Sequence, residues 1–287
     1  MSSYRPRQQH EMSDFAQALG AKGILGVEDV YSTEQLAKIN AIMDPIFAER
    51  AHESRSYVRP NDMLRSGILG DVLSSKMLDL IFSIHPQSVL YHFHAYEIKA
   101  RSEKSHIFSE TLGGWHRDPD CVHNGRDPTH VSIFVNLRDV GPRDGAFEFC
   151  PDSPEGRFGE DSAKVTMTGR AGTSFAWMRS FYHRASPNQG ERRRRMLKIS
   201  IQPNDYGSQH LGASFFRDVH EQIVPGNNQI DLLLGRYFGK KAPTIVTERT
   251  FVPFHIRPNG RIRLSEKEIN RVMQEEERAK EHVVAYD

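Results

Sequence analysis

The sequence predicts a mainly β fold, a barrel-like core with helices packed on one sheet. Three observations carry this. The centre of the chain reads as strands: Val131, Ile133, Val135 and Leu137 alternate with Ser132, Phe134 and Asn136, and Arg195, Leu197, Ile199 and Ile201 alternate with Arg194, Met196, Lys198, Ser200 and Gln202. Helical periodicity is confined mainly to the stretch before residue 86, with Leu36, Ile39, Ile42, Met43 and Ile46 as its clearest run. The strand-like segments have one greasy face and one chemically varied face, the pattern of a sheet covered by helices outside and facing a cavity inside.

Taken in order, residues 1–12 are polar, read as a disordered tail, and lack the apolar core of a signal peptide. Residues 23–30 fit a short strand. Ser32-x-x-Gln35 has the capping-box form and starts a helix that Pro45 is expected to kink or shorten. Leu73, Met77, Leu80 and Ile81 give a second amphipathic helix over 73–82. A strand rich in aromatic and branched residues follows over 88–99, then a polar, glycine-bearing loop over 100–114. Near the C-terminus, Asn259-Gly260 between two apolar-basic arms signals a hairpin, and Ser265-x-x-Glu268 caps a last charged helix with Ile269, Val272 and Met273. The expected organisation is one domain over 1–287: the tail 1–12, a mainly helical part 13–85, a core with the site at 86–203 and a C-terminal elaboration at 204–287.

Composition bounds the function. The 287 residues suffice for one large domain. Hydrophobic content of 38% and charged content of 26% are ordinary for a globular protein. A net charge of +1 gives no field to attract nucleic acid or an anionic membrane, and no apolar run is long enough to span a bilayer. The two cysteines, Cys121 and Cys150, make a disulfide framework improbable and fit a reducing cytoplasm as inert buried thiols.

The most informative segment is Gly113-Gly114-Trp115-His116-Arg117-Asp118. His116 and Asp118, two apart, point to the same side of an extended chain and offer one nitrogen and one oxygen to a metal. His183 supplies a third donor, and the interval from 116 to 183 leaves room for several strands between them. Two histidines and a carboxylate on one face are the facial triad of non-haem Fe(II) oxygenases. A His-x-Asp pair alone is common by chance, and fourteen histidines make any single one weak evidence. His92, His94, His106, His123 and His130 are read as surface residues or as neighbours of the ligands.

Strand parity sorts the remaining candidates. The run Arg192-Arg193-Arg194-Arg195 would be a solvated basic patch on its own, but it leads straight into an alternating strand, so one member turns inward. Arg194 shares the varied face and is the expected anchor for a dicarboxylate through a two-point contact, with Arg195 as the fallback. Phe134 has the same parity, as a core aromatic or a wall beside a co-substrate. Tyr96 and Lys99 lie on opposite faces of their strand, so only one of these two substrate-contact candidates faces the cavity.

These residues resemble the phytanoyl-CoA dioxygenase family of Fe(II)/2-oxoglutarate oxygenases, through four blocks in order over roughly 90–203. They are Trp115-His116-Arg117-Asp118; Ser132 to Leu137 leading into Asp139 to Phe149; Cys150-Pro151-Asp152-Ser153; and His183 to Asn188 followed by the arginine run. Two departures stand out: Arg184-Ala185 where the family often has Gly-Ser, and Asp152 in place of a glycine. The resemblance implies a double-stranded β-helix (jelly-roll, cupin-like) core. It implies Fe(II) on His116, Asp118 and His183, 2-oxoglutarate with its far carboxylate on Arg194, O2 as co-substrate, and a small-molecule substrate, secondary metabolites included. It favours hydroxylation over halogenation, since halogenases of this superfamily replace the aspartate by a small residue. The alternative is a cupin-like metal-binding protein or isomerase with the same three ligands and no 2-oxoglutarate, which would need no Arg194 anchor.

Overall fold

The computed structural model describes residues 13–52, 55–58, 62–63, 66–86, 88–102, 113–118, 125–128, 130–153, 158–159, 161–203, 256–257 and 260–261. The expected tail, the loop tip at 103–112, Cys121 and the last helix lie outside them. The chain opens with α1 (Asp14–Lys22), β1 (Ile24–Val27), α2 (Thr33–Glu49), β2 (Arg55–Val58), α3 (Leu69–Val72) and α4 (Ser75–Ile84). Then follow β3 (Ser88–Ile98), β4 (Val131–Asn136), β5 (Phe147–Phe149), β6 (Val165–Met167), β7 (Ser174–Met178), β8 (His183–Ala185) and β9 (Arg194–Pro203), with a hairpin of β10 (Ile256–Arg257) and β11 (Gly260–Arg261).

Six strands form an antiparallel main sheet in the order β1-β7-β4-β9-β3-β2, and β6-β5-β8 form a smaller sheet. Aromatic contacts close the space between them: Phe147 of the small sheet meets Phe134 at 5.1 Å, Phe175 at 5.3 Å and Trp177 at 4.9 Å. This is the expected jelly-roll. Helix α2 covers the outer face of the main sheet, where Phe47 lies under the Arg195 guanidinium at 4.4 Å and Asn40 donates to the Leu137 carbonyl. All six residues of β4 are buried, because helices cover one face and the barrel interior the other.

The capping box at Ser32 and Gln35 forms as the sequence predicts. Pro45, however, neither breaks nor shortens α2, which runs on to Glu49. The lost amide costs one hydrogen bond to residue 41, while Met43 and Phe47 on either side are anchored in the core. The second predicted helix is displaced: Ser74 caps α4, accepting from Met77 N, and Leu73 ends the short α3 instead. Tyr31 ties α3 down by donating to the Val72 carbonyl, and burial pushes its hydroxyl pKa up.

Helix α1 was not anticipated, although Ser13 caps its start and Gly23 its end. Gly23 has φ 75°, and a Cβ there would sit 2.6 Å from Phe181 and 2.9 Å from Phe149. The short strand expected over 23–30 is present as β1; with β2, which the sequence reading does not mark, it forms the two edges of the main sheet, so that sheet reaches outside 86–203. Strand β3 stops at Ile98 and carries a bulge between Leu90 and His92. That bulge resets parity so that His94 and Tyr96 pair with Lys198 and Met196. A hairpin is present in the expected place as the β10–β11 pair, but Gly260 lies in its second strand opposite Arg257 and not in the turn, and Asn259 lies outside the described residues.

Candidate metal centre

The segment before the first histidine is shaped by two consecutive left-handed glycines, Gly113 (φ 58°) and Gly114 (φ 87°). The turn they make aims two carbonyls. Gly114 O accepts from His116 Nδ1 at 2.8 Å, and Gly113 O accepts from Arg184 Nη1 at 2.6 Å. Arg184 also donates to Glu148 Oε2 and lies 5.0 Å over the Trp115 ring. The Arg184 departure from the family pattern is thus a brace joining the metal-bearing segment to β5 and β8. Ser153, beside the Asp152 departure, accepts from Tyr182 N at 2.8 Å and so holds the chain entering β8.

His116 pairs with His183 through two backbone bonds of 3.0 and 2.9 Å, which sets their rings 4.3 Å apart. Asp118 N donates to the Arg179 carbonyl, placing its carboxylate beside both imidazoles. Asp118 Oδ1 is 4.0 Å from His116 Nε2 and 3.8 Å from His183 Nε2, and one ligand atom from each residue lies within 4.8 Å of the others. Each Nδ1 faces a backbone carbonyl, Gly114 O or Phe181 O (2.9 Å), so each ring donates there and presents an unprotonated Nε2 to the shared point. Arg179 Nε donates to Asp118 Oδ2 at 2.6 Å, leaving Oδ1 as the oxygen turned to the two nitrogens. Two imidazole nitrogens and one carboxylate oxygen so arranged fit Fe(II) with one side left for other ligands.

The electrostatics support the same protonation states for Asp118 and His183. Burial raises the Asp118 carboxyl, but Arg179, then Lys198 and the two imidazoles outweigh it and hold it well below the usual carboxylate range. Burial, with His116 beside it, holds His183 well below the ordinary imidazole value against the opposing pull of Asp118.

Parity is resolved by β9. Arg194 is 1% exposed, with its guanidinium 5.7 Å over the Tyr96 ring. Tyr96 in turn meets Phe134 edge-on at 6.4 Å. Arg194, Tyr96 and Phe134 therefore share the interior, while Arg195, the fallback, points to α2. Lys99 is exposed just past the end of β3, so Tyr96 is the member of that pair inside. Cys150 is buried. Sequence reasoning missed Arg179, Trp177 and Lys198. Trp177 lies 4.2 Å from the His183 ring, and Lys198 Nζ lies 5.8 Å from Trp177 and 5.9 Å from Phe134. Parity alone would have found Lys198. Arg179 sits just after β7, where no local pattern marks it. His94, expected at the surface or beside the ligands, is buried between Tyr57 and Tyr96.

A family model for phytanoyl-CoA dioxygenase matches residues 20–196. The chain belongs to the phytanoyl-CoA dioxygenase family. It is accordingly an Fe(II)/2-oxoglutarate-dependent oxygenase, with O2 as the other co-substrate. Solved structures share the fold. The α-ketoglutarate-dependent epimerase SnoN from nogalamycin biosynthesis superposes with TM-score 0.52 at 17% identity, over 66% of this chain and 79% of its own. The carbocyclase SnoK from nogalamycin biosynthesis gives 0.53 at 13%, over 68% and 86%. EctD from S. alaskensis, solved with 2-oxoglutarate and 5-hydroxyectoine, gives 0.53 at 14%, over 69% and 79%. No curated protein sequence matches the chain. Among the described residues no helix is long and apolar enough to cross a membrane.

Proposed function

We propose that this family member oxidises, by hydroxylation, an unactivated C–H bond of a small molecule, and that residues 1–287 form one oxygenase domain with its catalytic core at 86–203. The observation that carries the reading is the convergence of His116 Nε2, His183 Nε2 and Asp118 Oδ1 with Arg194 buried in the same interior. When bound, Fe(II) with 2-oxoglutarate and O2 supplies the oxidising power, the 2-oxoglutarate leaving as succinate and carbon dioxide. The protein's part is binding and orientation. His116 and His183 keep their Nδ1 protons on Gly114 O and Phe181 O, which fixes both rings as neutral donors. Asp118 fills the third ligand position and disfavours a halide there. Arg194 receives the far carboxylate of 2-oxoglutarate through its planar fork. Phe134 walls the co-substrate, and Tyr96 contacts co-substrate or substrate from β3; Lys99, exposed, has no such part.

The solved neighbours include an epimerase and a carbocyclase as well as EctD, so the fold alone does not set the reaction type. The test is succinate release by Fe(II)-loaded protein across a panel of small metabolites, with the product mass read in chloride buffer. A product heavier by one oxygen supports the reading. Metal binding with no 2-oxoglutarate turnover on any substrate would favour the cupin-like alternative, and a chlorinated product would overturn the role given to Asp118.

A further inference from the structure

Two cations project from the inner side of β9, and only one has a role so far. Arg194 begins the strand, over Tyr96. Lys198 is four residues on, about 13 Å along the backbone at the usual strand rise. Its neighbours across the sheet are Phe134 on β4 and His94 on β3. Its half-buried side chain runs between two rings, with Nζ 5.9 Å from Phe134 and 5.8 Å from Trp177. Trp177 is the ring that packs at 4.2 Å on His183. The lysine is therefore carried to the metal end of the interior and the arginine to the other end. Its charge is felt there, being among those that hold Asp118 and His183 low.

The position of Lys198, at the metal end of the interior and on the same face as Arg194, bears on what it can meet. Among the described residues, the one carboxylate of the triad is held by Arg179 at 2.6 Å and also feels Lys198. Lys198 adds a further positive charge, and a bound dication adds two more. Clustered positive charge in a partly buried site is costly unless an anion joins it. We propose that Lys198 is a second carboxylate contact of the site: its ammonium receives the carboxylate that the 2-oxo acid brings to the metal, while Arg194 receives the far one. This rests on the reading that 2-oxoglutarate occupies the interior. The same ammonium could otherwise meet a carboxylate of the substrate, and the experiment separates the two sources because no substrate is present in it.

The experiment measures binding, by calorimetry and by quenching of tryptophan fluorescence, to Fe(II)-loaded protein without oxygen. The ligands are 2-oxoglutarate and 2-oxobutyrate, which keeps the 2-oxo acid head and lacks the far carboxylate. Lys198→Met is expected to weaken both by a similar factor of about tenfold or more, the scale of one hydrogen bond to a charged group. Arg194→Met is expected to weaken 2-oxoglutarate alone, bringing it towards the 2-oxobutyrate value. Lys198→Arg should recover part of the loss for both. Unchanged metal content and thermal unfolding of Lys198→Met show that the loss is local. Wild-type affinity for both acids in Lys198→Met overturns the proposal and leaves the lysine to a substrate anion. Weakening of 2-oxoglutarate alone overturns it too, making Lys198 the far anchor. A wild-type protein that binds neither acid would bring down the functional reading, and this inference with it.

Discussion

Arg194 and Arg195 are neighbours on β9, equally buried at 1% and 2% exposure, and they do opposite things. Arg195 points out of the barrel into α2. Its Nε and Nη2 donate to Glu97 Oε1 at 2.9 and 2.8 Å, its Nη1 to Asn40 Oδ1 and Asp44 Oδ1, and its plane covers Phe47. It joins helix to sheet. Arg194 points into the barrel over Tyr96, on the inner face of β9 that it shares with Lys198. Burial alone does not distinguish a structural guanidinium from one that recognises a ligand. The sheet parity separates the two faces, since one step along a strand exchanges a helix for the barrel interior, where we place the co-substrate.

The largest effects should come from the ligands that the inner face looks upon. His116→Ala, Asp118→Ala and His183→Ala should each lose iron and bring turnover below detection while retaining the folded state. Two donors hold a labile dication poorly against water. Metal analysis beside circular dichroism decides it, and normal iron content and turnover in two of the three variants would show that the ligand set is wrong.

The arginine pair comes next. Arg194→Ala should raise the 2-oxoglutarate requirement about thirtyfold or more, as expected for losing a buried two-point contact to a carboxylate. Its unfolding temperature should fall less than that of Arg195→Ala, which leaves Glu97 buried without its closest cation and should lose about 3–5 kcal/mol of stability. Titrating 2-oxoglutarate and recording thermal unfolding on both variants gives a crossed result. If Arg195→Ala instead crippled co-substrate binding with stability intact, the parity assignment would be inverted.

How far this division was legible depends on where its determinants lie. The interior placement of Arg194 and Phe134 and the convergence of His116, Asp118 and His183 could be read because alternation and the His-x-Asp spacing are local patterns. The capping box at Ser32 is equally local, and it formed. Pro45 does not shorten α2, because Met43 and Phe47 on either side of it are packed in the core. The bulge at Leu90–His92 leaves no mark in the sequence, yet it decides which residues of β3 face inward. Arg179 was illegible for another reason. Its contact with Asp118 joins segments far apart in the chain, brought together by the backbone bond from Asp118 to the Arg179 carbonyl.

Arg179 therefore sharpens the comparison as a third buried arginine among the described residues, one whose partner is Asp118 of the proposed triad. Arg179→Gln should weaken iron binding by about 10- to 100-fold, the usual range for removing a partner that orients a ligand. It should also move the loss of metal on acidification to higher pH, because Arg179 is the largest of the influences that hold the Asp118 carboxyl low. Metal affinity measured across pH 5 to 8, a window chosen around the ordinary histidine value, reads both effects. A uniform loss with no shift along the pH axis would mean that Arg179 merely packs.

The smallest effect concerns the metal-free protein. His183 is held well below its ordinary value, chiefly by burial, so the folded state keeps it neutral. The unfolded chain takes up a proton at about pH 6.5. As pH falls through that value, the unfolded state binds a proton that the folded state refuses, and stability drops; above it, the contribution is fully present. The slope cannot exceed about 1.4 kcal/mol per pH unit for one site. Asp118 works in the same direction at lower pH, its depressed pKa stabilising the fold above about pH 4 and giving way only below. Metal-free wild type should therefore unfold at lower denaturant concentration at pH 5.5 than at pH 7.5, and His183→Gln should flatten that difference. If His183→Gln kept the full wild-type slope, the pH dependence would have to come from histidines outside the metal centre.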